Sequence, residues 1–262
     1  MRLTVAFKFN NFWDRHDAEF SLRPELHALE LTFGGDDANL RYPQTMNVKL
    51  TVLTILALTS NAWAVCNHPY VPSTPNTRWT YKSSIAGGDY TMRVVSNDGQ
   101  SFVLENAFKT MKIQSKVRCA SDGSLVQEQY SSITGLNAKT ETLSFSGVAF
   151  PAPNQWVIGG KWTHAYKIKM SITAGDQIIT QAGTVTISSK IVNSENVSVP
   201  AGKFTALKVA QTINLDLMMK MTGGSRPIKT TVTTTTWYAR DVGVVKSISD
   251  KVTSMLTDFV KV

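Results

Sequence analysis

Two cysteines and four histidines among 262 residues leave little material for a metal centre or a thiol-based catalytic site. After residue 64 only His68 and His164 remain, too few to assemble a metal site without other ligands. No G-x-S-x-G turn supports any serine as a nucleophile, and Gly87-Gly88 and Gly159-Gly160 lack the flanking residues of a phosphate-cradling loop. The acids Glu105, Glu128, Glu141 and Asp176 stand apart and read as solvated strand-face side chains. These absences predict no catalytic residue, no metal and no cofactor. A long apolar run is missing as well: the best stretch, residues 50–58, falls well short of the roughly 20 residues a membrane helix needs, so no stable span is expected in the mature chain. From residue 65 onward, 21 Lys and Arg face 12 Asp and Glu, an excess of +9, yet the cations are spread singly. Without a basic run, nucleic acid is not expected as a partner.

What the chain does carry begins at residues 46–64. Met46-Asn47-Val48-Lys49 gives a short basic start, residues 50–58 an apolar stretch, and Ala62-Trp63-Ala64 an Ala-x-Ala cleavage site. That order is the order of a secretory signal peptide. Such a signal works from an N-terminus, so residues 1–45 are expected to be a mis-assigned start, disordered, with translation beginning at Met46. Cleavage after Ala64 leaves an N-terminal tail, 65–78, ahead of one domain over 79–262, exported to the periplasm or secreted. Lipid attachment at Cys66 is disfavoured because Val65 is not the small residue a lipoprotein signal places before its cysteine. In an oxidising compartment Cys66 and Cys119 are expected to pair. The bond would close a loop of about 50 residues and contribute about 3 to 4 kcal/mol.

Thr, Val, Ser and Ile crowd the region after residue 79, a composition suited to pleated, half-buried surfaces. Asn97-Asp98-Gly99 and Ser121-Asp122-Gly123 mark hairpins. Around the first, Tyr90, Met92 and Val94 alternate with polar neighbours. In the next run Ile113, Val117 and Cys119 share one face while Lys112, Gln114, Lys116 and Arg118 share the other. Further strands are expected over 125–133, 142–150, 161–173, 178–188, 203–217, 230–239 and 242–249, and the C-terminal run also leans toward strand. The fold class is therefore all-β and mainly antiparallel, a single strongly curved sheet or half-barrel of about ten strands with few helices.

Residues 162, 164, 166, 168 and 170 are Trp, His, Tyr, Ile and Met, so His164 falls on the dry face of a strand between two aromatics. Two segments are distinctive. Val199-Pro200-Ala201-Gly202-Lys203-Phe204 is a tight turn feeding a long strand, and Trp237-Tyr238-Ala239-Arg240-Asp241-Val242-Gly243 places a turn at 241–243 after a large aromatic anchor. This pair of motifs resembles the TapB-like exported proteins, which are similar in turn to the LolA/LolB-like lipoprotein carriers. The resemblance covers the last third of the chain most strongly. It implies a half-open barrel whose concave apolar face shelters an acyl chain or a lipidated partner.

The expected function is a non-enzymatic cell-envelope protein that binds a lipid, a lipoprotein segment or another apolar ligand on the concave face. Trp156, Trp162, His164, Tyr166, Met170 and Trp237 are the candidate ligand-binding residues. The same side chains would equally fill an ordinary core. The alternatives are a structural or assembly component that binds an envelope protein or polysaccharide, with the Thr-rich run 230–236 as an edge that accepts a strand, and a hydrolase with an unrecognised site.

Overall fold

The computed structural model describes residues 66–262 apart from 130–131, 135–137, 175–176 and 222–223. The expected start segment 1–45, the signal peptide and its cleavage residues Ala62 and Ala64 lie outside the described residues. Among the described residues thirteen antiparallel strands form one sheet. In chain order they are β1 (Arg78–Ser83), β2 (Tyr90–Asn97), β3 (Ser101–Ala107), β4 (Lys112–Cys119), β5 (Leu125–Val126), β6 (Ser132–Thr134), β7 (Ala138–Gly147), β8 (Lys161–Ala174), β9 (Gln177–Val199), β10 (Gly202–Met221), β11 (Gly224–Ala239), β12 (Gly243–Ser249) and β13 (Val252–Val260). Among the described residues the one helical turn is a 3₁₀ element at Pro153–Gln155.

The sheet runs β5-β4-β3-β2-β1-β13-β12-β11-β10-β9-β8-β7, so β4 and β7 lie toward opposite ends of the path. The chain between them brings those ends together. β5 pairs with the end of β4 through Cys119 and Leu125, and β6 pairs with its start through Ile113 and Ile133. Leu125 then bridges to Phe150, three residues past β7. The result is a nearly closed barrel, which removes most of the exposed edge an open sheet would carry. The strand expected over 125–133 breaks into two pieces because Gln127, Glu128 and Gln129 cross the seam and do not extend a ladder.

Strand β9 is much longer than the expected 178–188, while β10 extends the expected 203–217 by a few residues. They pair from Lys220 and Thr180 down to Gly202 and Val199. The polar stretch after Ser188 stays extended because β8 and β10 satisfy its backbone on both sides as far as Lys190. Val192 is passed over where Lys208 meets Asn193 and Val209 meets Ile191, and it points to solvent as a bulge residue. Beyond the bulge the hairpin end reaches β13, where Ala201 N–H donates to Leu256 O (3.1 Å). Val197, Val199 and Ala206 are thereby buried in one cluster with Trp237, Val245 and Leu256.

The segment ahead of β1 is an integral part of the body. Cys66, His68, Val71, Ser73 and Thr77 are all buried. Asp241 N–H donates to Pro69 O (2.7 Å), the Asn97 side chain donates to Ser73 O (2.8 Å), and Ser73 Oγ donates to Cys66 O. Cys66 and Cys119 are disulfide-bonded with Cα atoms 5.5 Å apart. This strap therefore ties the β2–β3 turn, the β11–β12 turn and the end of β4 into one end of the barrel.

Candidate functional site

Strand β8 shows the period-two pattern most cleanly. Trp162, His164, Tyr166 and Ile168 are buried, Met170 is half-buried, and Lys161, Thr163, Lys167 and Lys169 are exposed. The ladders carry this inner face across the neighbouring strands. His164 lies beside Ile187, then Ile213 and Val232; Tyr166 lies beside Val185, then Leu215 and Thr230. Tyr166, Ile168, Val185 and Leu217 form a buried cluster, with Ile187, Ile213, Leu215 and Ile228 packed on it and only partly covered. Gly183 is a requirement here: a Cβ would lie 2.1 Å from Asp216 O, so only glycine lets β9 and β10 approach.

The six residues selected from the sequence occupy three environments. Trp156 and Trp162 belong to an aromatic cluster near the strapped end, with Ile191, Val209 and Tyr238. Trp156 is its hub: Tyr70 stacks on it at 4.7 Å between ring centroids, and Tyr238, His68 and Trp162 approach at 5.2, 5.3 and 5.5 Å. Both indole N–H groups are used inside the protein, Trp156 donating to Pro151 O (3.1 Å) and Trp162 to Ala149 O (2.9 Å). His164, Tyr166 and Met170 lie further along the same inner face.

Trp237 does not join them. It follows Thr236 and precedes Tyr238, both directed toward that inner face, and so lies on the other face of β11, in the buried cluster that holds Val197, Val199 and Ala206 of the hairpin. Its N–H donates to Glu195 Oε1 (2.5 Å), and the ammonium groups of Lys208 and Lys246 lie 5.2 and 4.9 Å from its ring centroid. Glu195 also pairs with Lys208 (3.6 Å), and the indole hydrogen bond, foremost among its contacts, holds its carboxyl below the usual range. This is a buried anchor for the hairpin.

Both histidines are buried and neutral. His68 Nε2–H donates to Pro151 O (3.1 Å) and its Nδ1 accepts the Tyr70 N–H (3.2 Å), which fixes the tautomer. Burial pushes its pKa down to about 4, against a smaller upward pull from Pro151. Burial alone pushes His164 down to about 4. Its ring meets Tyr166 edge-on at 5.5 Å, and its Nδ1 is buried with no hydrogen-bond partner.

Sequence reasoning passed over three contributors. His68 and Tyr70 sit in what read as a tail, and their pattern gives no hint that the strap folds inward. The third is the seam. Lys116, Glu128, Gln129 and residues 142–145 line an open depression of about 440 Å³ in which Leu143 is 50% and Phe145 42% exposed. A bulge between Thr142 and Ser144 reverses the side on which later residues point, which period-two counting cannot anticipate. A second depression, about 290 Å³, lies between Asn214–Asp216 and Lys229–Thr231. None of the six candidates lines either one. Among the described residues no group of three or more His, Cys, Asp or Glu could hold a metal ion. Glu105 is held by Arg93 (2.9 Å) and Gln114 (2.8 Å), and Glu128 by Arg118, so these acids do not converge.

A family model described as DUF3108-like matches residues 85–255, which include both distinctive turn segments. No curated protein matches the chain. Solved structures with a similar trace include a Bacteroides fragilis protein described as exported and of YmcC-like fold, 17% identical, covering 74% of this chain and 100% of that one with a TM-score of 0.45. A Parabacteroides distasonis protein described as a lipoprotein is 13% identical (74% and 99% covered, TM-score 0.31). The hypothetical lipoprotein YmcC of Escherichia coli is 10% identical (73% and 89% covered, TM-score 0.38).

Proposed function

This chain belongs to the DUF3108-like family, and we propose that it acts as a non-enzymatic binding protein of the cell envelope, holding an apolar or amphipathic ligand against the inner face of its long strands. The observation that carries this reading is the partly covered apolar surface of β8–β11. Ile187, Ile213, Leu215, Ile228 and Met170 are half-buried, although a finished core would cover such side chains. A ligand such as a lipid or a lipoprotein segment would complete their burial at about 25 cal/mol per Å² of apolar surface removed from water. Tyr166 and Met170 lie along this surface, and Trp162 and His164 lie at its lower limit. Trp156 serves as core behind it, and Trp237 anchors the β9–β10 hairpin on the other face.

Export rests on residues 46–64 and on the disulfide. Basic start, apolar stretch and Ala-x-Ala site occur in the order a signal requires, and a buried disulfide belongs to an oxidising compartment. Mass spectrometry of the native protein's N-terminus is expected to find Val65; a chain beginning at Met1 or Met46 would contradict export by this signal.

The binding reading is tested by gentle isolation of the mature protein followed by organic extraction. Wild type is expected to carry a stoichiometric apolar compound, and Leu215→Asp is expected to lose it while keeping its β-sheet circular dichroism. An empty wild type that also fails to bind added apolar probes would refute the reading.

One observation favours a second reading, an assembly component. Among the described residues, β11 meets β12 only from Thr234 to Ala239, leaving residues 224–233 without a strand on that side. Pro227, which lacks an N–H, and Lys229 lie on that open edge and discourage indiscriminate pairing.

A further inference from the structure

The inner face has a second character that its apolar rows conceal. Between the aromatic cluster at the strapped end and the aliphatic rows of the open arm runs a belt of neutral hydrogen-bonding side chains. Ser189, Gln211 and Thr234 are cross-strand neighbours on β9, β10 and β11, and Ser249 of β12 lies next to Thr234. Gln211 Nε2 donates to Ser189 Oγ (3.2 Å), Thr234 Oγ1 donates to Ser249 Oγ (3.2 Å), and Thr236 Oγ1 reaches Gln211 Oε1 at 3.5 Å. These contacts are long for side-chain hydrogen bonds, and Gln211, Thr234 and Ser249 are only half-buried. The belt is therefore accessible and only loosely bonded to itself.

Two further observations point to what belongs there. His164, one row from Ser189, turns an unpartnered Nδ1 into the interior although the residue is 8% exposed. A buried acceptor or donor without a partner is costly, and a ligand group that supplies the partner recovers that cost. Secondly, the inward positions over 162–170, 181–191, 207–219 and 228–238 carry no charged side chain, whereas the outward positions of the same strands carry Lys167, Lys169, Lys190, Asp216 and Lys229. An ionised headgroup brought to the belt would meet no counter-charge and would lose its hydration uncompensated.

We infer that the ligand is an amphiphile with an uncharged polar head, such as an ester, amide or hydroxyl group, seated on the Ser189–Gln211–Thr234 belt with its apolar chain along Ile213, Leu215 and Ile228. This rests on the binding function proposed above and deepens it. Polar and apolar surfaces follow one another along the barrel axis, which sets the head toward the strapped end and the chain toward the open arm. His164 stands beside the head, positioned to exchange one hydrogen bond with it.

The test compares three fluorescent probes with the same pyrene-labelled chain: a monoacylglycerol, a free fatty acid and a plain alkane, titrated into the mature disulfide-bonded protein at neutral pH. The monoacylglycerol is expected to bind most tightly, with the fatty acid at least about tenfold weaker for want of a counter-charge. Gln211→Leu and, separately, Thr234→Val are expected to weaken monoacylglycerol binding by about three- to tenfold and to leave the alkane unchanged. Melting curves of both variants establish that they fold, and the comparison of probes on wild type needs no variant. A fatty acid bound as tightly as the monoacylglycerol, or an alkane bound equally well with no effect of Gln211→Leu, would overturn the neutral-head inference while leaving the binding function standing. An extended peptide that binds while all three probes fail would overturn the neutral-head inference alone, and failure of every probe and of the peptide would overturn both.

Discussion

Lowering the pH from 7 to 5 should destabilise this protein chiefly through two buried imidazoles. His68 and His164 are both held down to about 4, and the first cause in each case is desolvation by burial. An unfolded histidine titrates near 6.5, so between these values the unfolded chain binds protons that the folded chain refuses, and stability falls as pH falls. Their full contribution is present above about pH 6.5 and is lost progressively as pH drops toward 4. Integrating the linkage relation gives a loss of about 1.8 kcal/mol per histidine between pH 7 and pH 5, or about 3.5 kcal/mol for the pair. Protonating His68 has an added structural consequence, because Nδ1 could no longer accept the Tyr70 N–H that pins the strap. The carboxylates do not confuse this window. Glu105, Asp98 and Asp122 are all held below their usual range by hydrogen bonds, so their contributions fade only below about pH 4.5. The assay is urea unfolding at constant ionic strength across the range from pH 7.5 to about 4.5, followed by tryptophan fluorescence. His164→Phe should remove about half of the pH dependence, and its stability at neutral pH should hold or rise because an unpartnered nitrogen disappears. A flat stability profile across this range, or an unchanged slope in His164→Phe, would refute the reasoning.

Replacing Cys66 and Cys119 together by Ser should cost about 4 kcal/mol by loop-closure entropy over the 53-residue separation, read as a lower urea midpoint that reductant no longer affects. Gly147→Ala should cost well over 2 kcal/mol, since φ is +77° and the new Cβ would lie 2.2 Å from Thr163 O; Gly99→Ala, also at positive φ but in open space, should cost about 1 kcal/mol by thermal melting. Trp156→Ala should be among the most damaging single changes, about 3 to 5 kcal/mol, because five aromatic rings pack around it; a loss under about 1 kcal/mol would show that the cluster collapses into the gap. Trp237→Phe should cost about 1 to 3 kcal/mol through the lost Glu195 hydrogen bond without altering ligand occupancy, because that ring faces away from the apolar rows of β8–β11.

Much of the sheet was legible because period-two alternation is a direct image of one buried face. β8 reads Trp162, His164, Tyr166, Ile168 on one side and lysines on the other, and the structure reproduces it. The turns at Gly99 and 241–243 were equally clear, since positive φ at Gly99, Asp241 and Gly243 requires residues tolerant of that backbone. Closure and bulges were not legible. Whether a curved sheet stops at a half-barrel or nearly closes depends on Leu125 meeting Phe150, a contact that no local pattern encodes. The bulge near Thr142 reverses the parity on which face assignment rests, so Phe145 falls elsewhere than counting suggests. The strap illustrates the same limit: Pro69, Pro72 and Pro75 read as loop, and only tertiary contacts show that His68 and Tyr70 complete the aromatic cluster.

The placement of order within the barrel bears on its use. At one end a disulfide, a strap and an aromatic cluster centred on Trp156 fix the geometry; at the other, β9 and β10 continue past β12, which ends at Ser249, and present aliphatic rows that no second layer covers. A protein selected only for stability would gain by shortening that arm, since each added residue costs roughly 1 to 2 kcal/mol of backbone entropy that only half-buried side chains help offset. Gly183 adds to the expense, because a glycine inside a strand is unfavourable by about 0.5 to 1 kcal/mol, and it is required there because a Cβ would meet the Asp216 backbone of β10. The arm therefore makes physical sense when something else completes its inner face. On the binding function proposed above, the rigid end, by holding Ser189, Gln211 and Thr236 in register, would set how deep a ligand can enter.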